Sequence, residues 1–126
     1  MVLVDTSVWI RFLAGREPHA NALDRLLASD QAMSHDLVHG ELLIGHSGRV
    51  RTNLLAVYAK IHRARMVPHA EVVELVESRT LSGRGIGWVD AHLLASTLVE
   101  RCTLRSADTS LAALAAELRA AHVPTR

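Results

Sequence analysis

The sequence is sparing with several residue types, and each scarcity excludes something. There is one cysteine, Cys102, among 126 residues. An internal disulfide and a cysteine-rich metal centre are therefore impossible. Cys102 lies in an apolar-leaning segment and reads as a buried structural thiol. Aromatics make up only 3% of the chain, so the core must be built from Leu, Val and Ala. No run of about 18 apolar residues occurs, and no charged leader precedes a long apolar stretch. Neither a membrane span nor a signal peptide is expected, and the expected compartment is the cytoplasm. Lysine is nearly absent: Lys60 is the only one, so arginine supplies almost all of the 14 basic residues. Against 13 acids this leaves a formal charge of +1, which is not the bulk signature of a nucleic-acid binder. Arginine suits bidentate phosphate contacts better than lysine, but a GC-rich genome explains the bias equally well.

What is present is a globular composition, 49% hydrophobic, at a length suited to a single domain over residues 1–126. The most informative stretch is the first, MVLVDTSVWI. An apolar run, Val2–Val4, ends in Asp5, and Thr6 and Ser7 lead into Val8, Trp9, Ile10 and Phe12. This predicts a short buried strand, a carboxylate at its carboxyl end, and a helix from about Ser7 to Ala14, stopped by Gly15. In open α/β sheets that edge is where ligands bind.

Periodicity then predicts a helix after Pro18 (Ala22, Leu23, Leu26, Leu27), a short strand at Ala32–Ser34, and a helix from Asp36 ending near Gly45 or Gly48. Further helices are expected around Leu54–Ile61 and Val72–Val76. Met66–Pro68 reads as a short strand or only a connector, because Pro68 limits extension. The glycines at 83, 85 and 87 make a flexible loop before a helix opening at Trp88 or Val89. A strand at Cys102–Leu104 and a last helix over Leu111–Leu118 complete the chain. Strands alternating with helices predict an α/β fold whose parallel sheet is covered on both faces.

Asp5 and Asp108 follow apolar strands in equivalent settings. Asp90 stands in the first turn of a helix, and Glu41 lies inside an otherwise apolar one. Each has an ordinary reading: Asp108 as an N-cap, Asp90 as a first-turn acid, Glu41 as an arginine's partner. Together they read differently. Converging carboxylates repel one another, and cations relieve the repulsion. All-oxygen ligation suits Mg²⁺ or Mn²⁺, and such a site supports phosphodiester hydrolysis.

The segments VDTSVWI (Val4–Ile10), HGELLIG (His39–Gly45), GWVDAHLLAS (Gly87–Ser96) and LRSAD (Leu104–Asp108) together resemble the PIN domain. More closely, they resemble the VapC toxins of bacterial VapBC toxin–antitoxin systems, in order and over essentially the whole chain. The resemblance implies a three-layer α/β sandwich with a short, mostly parallel central sheet. It implies an endoribonuclease dependent on Mg²⁺ or Mn²⁺, a VapB-type antitoxin partner, an RNA substrate and a homodimer. Carried onto this sequence, Asp5, Glu41, Asp90 and Asp108 are the acidic cluster. Thr6 or Ser7, and Ser106, are the accompanying hydroxyls. The family commonly has a basic residue directly before the last acid, whereas here that residue is Ala107, and Arg105 is the nearest substitute. Arg84 and Arg11 are further candidate phosphate contacts.

Other readings compete. A Mg²⁺-dependent phosphoryl-handling domain of the haloacid-dehalogenase or receiver type also has a strand-end aspartate. The first type wants a second Asp where Ser7 stands, and the second wants a later lysine that Lys60 does not supply. A non-catalytic PIN-like interaction module is the other rival. His35 and His39 share i, i+4 spacing, but the HExxH pattern is missing. His92 reads as structural, and the apolar stripes of Ala20–Leu27 and Leu54–Ile61 read as core or as a groove for a partner's helix.

Overall fold

The computed structural model describes residues 1–45 and 48–124. Strands β1 (Val2–Val4), β2 (Ala32–Ser34), β3 (His62–Arg63) and β4 (Thr103–Arg105) form a parallel sheet in the order β3-β2-β1-β4. Helices α1 (Thr6–Leu13) and α2 (His19–Ala28) connect β1 to β2. Helices α3 (Asp36–Gly45) and α4 (Gly48–Tyr58) connect β2 to β3, α5 (His69–Ser78) and α6 (Trp88–Glu100) connect β3 to β4, and α7 (Thr109–Glu117) follows β4. This is the predicted α/β architecture, a short parallel sheet flanked by helices.

The strand order positions the site. The chain winds outward from β1 through β2 to β3, and then returns to place β4 on the other side of β1. Connections leaving the adjacent carboxyl ends of β1 and β4 therefore part in opposite directions. They open a crevice, the usual ligand position in such sheets. Asp5 follows β1 directly, and Ser106 to Asp108 follow β4.

Burial explains the short apolar strands. Every residue of β1 and β2 is buried, as expected when both faces of a parallel sheet are covered. With so few aromatics, the core centres on Leu3, Val4, Val8, Leu42, Leu93, Leu94 and Leu111. Trp9 is fully buried and packs edge-on against Phe12 and Tyr58, with centroids 6.1 and 5.3 Å apart.

The structure decides one open reading and shifts one strand. Met66–Pro68 is a connector, because Pro68 lacks an amide proton and stands as the N-cap of α5. The strand in this region, β3, is His62–Arg63, an exposed edge pair without apolar signal, tied to β2 by Ser34 Oγ donating to the His62 carbonyl at 3.1 Å. The last strand also lies one residue later than predicted, at Thr103–Arg105, leaving Cys102 half-buried just before it. Helix α3 runs to Gly45, and the predicted end between Gly45 and Gly48 touches His46 and Ser47, which lie outside the described residues.

Candidate active site

Asp5 is buried, yet it sits among hydroxyls. Ser7 Oγ and Ser106 Oγ both donate to its Oδ2, at 2.7 and 2.8 Å. The two serines also tie the crevice walls together. Ser7 Oγ accepts the Ala107 amide at 2.9 Å, and Ser106 Oγ accepts the Asp108 amide at 3.0 Å. Thr6 takes a different partner: its hydroxyl donates to Glu41 Oε1 at 2.6 Å, linking α1 to α3. The small residues after the first acid thus divide the work, Ser7 holding Asp5 and Thr6 holding Glu41.

Asp90 Oδ2 accepts the Gly87 amide at 3.0 Å, reaching back over the first turn of α6. The preceding loop needs its glycine at 85, where φ is +83° and a Cβ would lie 2.9 Å from Ser110 Oγ. Asp108 is the N-cap of α7, with Oδ1 accepting the Leu111 amide at 3.0 Å. Capping and clustering therefore coexist in Asp90 and Asp108.

Each of these carboxylates spends one oxygen on holding itself in place. Asp5 Oδ1, Glu41 Oε2, Asp90 Oδ1 and Asp108 Oδ2 accept no hydrogen bond among the described residues. The only sealed side-chain polar atoms without a partner among the described residues are Trp9 Nε1 and His92 Nδ1, so the second oxygens of Asp5 and Asp90 open to solvent. The acids sense one another. Burial pushes the Asp90 carboxyl up from its ordinary range, the Gly87 amide opposes this, and the charges of Asp5, Asp108 and Glu41 push it further up. Among the described residues no arginine or lysine pairs with any of the four; the ion pairs are His62–Asp30, Arg63–Asp36, Arg65–Glu100 and Arg84–Glu117. Partial compensation comes from the N-terminal ends of α1, α6 and α7, whose N-caps are Asp5, Gly87 and Asp108.

Among the described residues no three His, Cys, Asp or Glu side chains converge into a ready-made metal cage. A loose, all-oxygen set is nonetheless the kind that fits Mg²⁺, which keeps several waters and takes few protein ligands. His35 and His39 take separate partners. His35 is fully buried, with Nδ1 accepting the Leu37 amide at 3.1 Å and Nε2 lying 3.0 Å from Ser96 Oγ. His39 stacks on Tyr58 instead, at 5.8 Å.

The candidate phosphate contacts fall in three settings. Arg11 folds back on its own helix, with Nη1 donating to the Ser7 carbonyl at 3.3 Å. Arg84 is drawn to Glu117, with Nη2 2.6 Å from Oε1. Arg105 faces a different environment from the acids, because consecutive strand residues point to opposite faces. Ser106 turns to Asp5, and the Arg105 guanidinium lies against His19 and His122, each at 3.2 Å.

Two features lay beyond the sequence reading. Tyr58 donates its hydroxyl to the His35 carbonyl at 3.0 Å and accepts the His35 amide at 2.6 Å, fixing the turn from β2 into α3 and hence the helix that carries Glu41. Trp88 is 44% exposed on the first turn of α6, beside Asp90, with its ring 5.0 Å from His69 and 5.1 Å from His92. A tryptophan two residues before Asp90, in a chain so poor in aromatics, was the available signal.

Comparison with known proteins identifies the family and the fold. The PIN domain family model matches residues 2–126. Ribonuclease VapC32 of Mycobacterium tuberculosis, in both the CDC 1551 / Oshkosh and H37Rv strains, is 43% identical over 93% of this chain and 92% of its own. Among solved structures, the fold is similar to that of Mycobacterium tuberculosis VapC20, described as a sarcin-ricin loop cleaving toxin. The TM-score is 0.62 at 23% identity, covering 90% of this chain and 95% of that one. It is also similar to PAE2754 from Pyrobaculum aerophilum, with a TM-score of 0.61 at 19% identity, covering 94% and 95%. Matched by the family model over residues 2–126 and 43% identical to a VapC ribonuclease over 93% of its length, the chain belongs to the PIN-domain family and, within it, to the VapC ribonucleases.

Proposed function

We propose that this protein is the toxin of a VapBC-type pair and cleaves RNA internally, in a reaction dependent on Mg²⁺ or Mn²⁺. The observation that carries the reading is the set of half-used carboxylates. Asp5, Glu41, Asp90 and Asp108 are each anchored through one oxygen, leave the other unbonded among the described residues, and have no arginine or lysine partner there. Clustered like charges without a counter-charge favour a bound cation.

Asp5, Asp90 and Asp108 would hold the cation, with Glu41 beside them. Bound there, it supplies the charge that polarises a phosphoryl oxygen and makes water a stronger nucleophile. The rest is the work of the chain's own groups. Ser7 and Ser106 orient Asp5 through the hydroxyls they donate to its Oδ2. Thr6 holds Glu41 at the crevice edge, where it orients the attacking water. In-line attack leaves 3′-hydroxyl and 5′-phosphate ends. Trp88 offers an exposed face on which a base can stack, and Arg84 and Arg11 would contact phosphate on leaving Glu117 and the Ser7 carbonyl.

An antitoxin of VapB type completes the proposal. An apolar cleft of about 260 Å³ between α1, α2 and α4 is lined by Trp9, Phe12, Leu13, Leu27, Leu54 and Val57. It suits the apolar face of a partner helix. The family's homodimeric assembly is carried over with it.

The test is cleavage of RNA by the purified protein with Mg²⁺, with excess chelator, and with Asp5→Asn. Cleavage should require the metal and fall about 10²–10³-fold in the variant, the scale on which one preorganised electrostatic group acts. Cleavage that survives chelation, or an Asp5→Asn protein as active as the wild type, refutes the proposal.

A further inference from the structure

The far side of β4 carries a second cluster, of opposite charge. Arg105 is only 8% exposed. Its Nε donates to His19 Nδ1 at 3.2 Å, and its Nη1 lies 3.2 Å from His122 Nδ1. A guanidinium has donors only. Both imidazoles must therefore offer Nδ1 as acceptor, carry their proton on Nε2 and stay neutral. Their environment agrees: burial is the main cause lowering both imidazole pKa values, and the Arg105 charge adds to it. Arg11 contributes at His19 and the amino terminus at His122. No carboxylate facing this cluster pairs with it among the described residues.

Among the described residues this buried cation has only neutral imidazoles as side-chain partners and no counter-charge, and burying an unpaired charge is costly. The guanidinium opens on a cleft of about 620 Å³ between α2 and the segment after α7. Small-molecule sites span about 300–1,000 Å³. Arg25, Asn21 and Gln31 add polar donors to its wall, and Val2, Leu26 and Val123 add apolar surface. The cleft lies on the side of β4 opposite the acids, so it is not part of the crevice around Asp5.

We propose that this cleft binds a small organic phosphate of mononucleotide size. Its oxyanion supplies the counter-charge to Arg105, and its apolar body lies along Val2, Leu26 and Val123. The site is a concave pocket with one buried guanidinium, which matches a single oxyanion rather than a running RNA backbone, whose phosphates call for an exposed basic stripe.

The experiment follows the histidine ring resonances of the full chain by NMR, without added divalent metal. Adenosine 5′-monophosphate, inorganic phosphate, adenosine and a short RNA are titrated separately. The expected result is a saturable shift of the His19 and His122 signals, and a rise in their pKa values, with both phosphates and not with adenosine. The monophosphate should bind about tenfold or more tightly than inorganic phosphate, a difference of about 1.4 kcal/mol per decade. Arg105→Gln should lose the response while keeping a dispersed spectrum. Should that variant fail to fold, Arg25→Gln, on an exposed helix position, must weaken monophosphate binding several-fold. The proposal is overturned by shifts that do not saturate, by equal shifts with adenosine, by a response confined to RNA, or by full binding in Arg105→Gln or in Arg25→Gln. Because no cleavage is measured, these outcomes are independent of the nuclease reading.

Discussion

Replacing Ser106 by alanine tests the link between fold and site most directly. Besides a 3.4 Å contact with Ser7 Oγ, the buried hydroxyl makes two short bonds. It donates to Asp5 Oδ2 at 2.8 Å and accepts the Asp108 amide at 3.0 Å. A bond to a charged group contributes about 1.5–3 kcal/mol and a neutral one about 1 kcal/mol. Ser7 still donates to the same carboxylate oxygen at 2.7 Å, so the lower end applies. The expected loss is about 2–3 kcal/mol, roughly a 10 °C fall in Tm for a domain of this size. Because Ser106 sets the carboxylate that would hold the cation, the Mg²⁺ concentration for half-maximal cleavage should rise about 10–100-fold. The rate at saturating metal should change much less. Urea unfolding at constant m-value gives the first quantity, and cleavage rate against Mg²⁺ gives the second. The reasoning fails if stability changes by less than about 0.5 kcal/mol, or if the variant is destabilised yet keeps the wild-type Mg²⁺ dependence.

Three further outcomes are expected. Tyr58→Phe strands the buried amide of His35, whose carbonyl still accepts the His39 amide, and should cost about 1–3 kcal/mol in urea unfolding; a loss below about 0.5 kcal/mol would show that water replaces the hydroxyl. Trp88→Ala should raise the KM for RNA by at least about fivefold and leave the thermal midpoint nearly unchanged, because base stacking on an aromatic ring contributes about 1–3 kcal/mol and the ring is already 44% exposed. His19, His35, His92 and His122 all have pKa values held below the ordinary 6.5, with burial the main cause in each. The unfolded chain therefore binds more protons than the folded one just below pH 6.5. Stability should be full above that pH and fall as the pH drops through the lowered folded values; a thermal midpoint that rises on acidification from pH 7 to 5.5 contradicts these assignments.

The sequence alone carried the skeleton because its signals were local. Val2–Val4 ending in Asp5 is a buried strand with an acid at its edge, and the 3.6-residue spacing of Leu and Val located the helices. The resemblance in four ordered segments pointed to the same family as the full-length match. What stayed illegible depended on neighbours distant in the chain. His62–Arg63 becomes a strand through pairing with Met33 and Ser34, and its own side chains are polar and exposed. Thr6 and Ser7 are interchangeable on paper, yet one reaches Glu41 across 35 residues and the other reaches Ala107 across 100. Arg105 reads as a substitute for a missing basic residue near Asp108, and strand alternation turns it to His19 and His122 instead.

The sequence by itself determined which residues are acidic, which segments are apolar and with what period, and so the class of fold and the identity of Asp5, Glu41, Asp90 and Asp108 as a set worth testing. Only the tertiary structure decided how the set is held. The order β3-β2-β1-β4 brings the ends of β1 and β4 side by side, and three helix N-termini begin at that edge. The physical reason is that periodicity is a property of neighbours along the chain. Which hydroxyl meets which carboxylate, and which arginine is left without one, depends on chain crossings that no local pattern encodes.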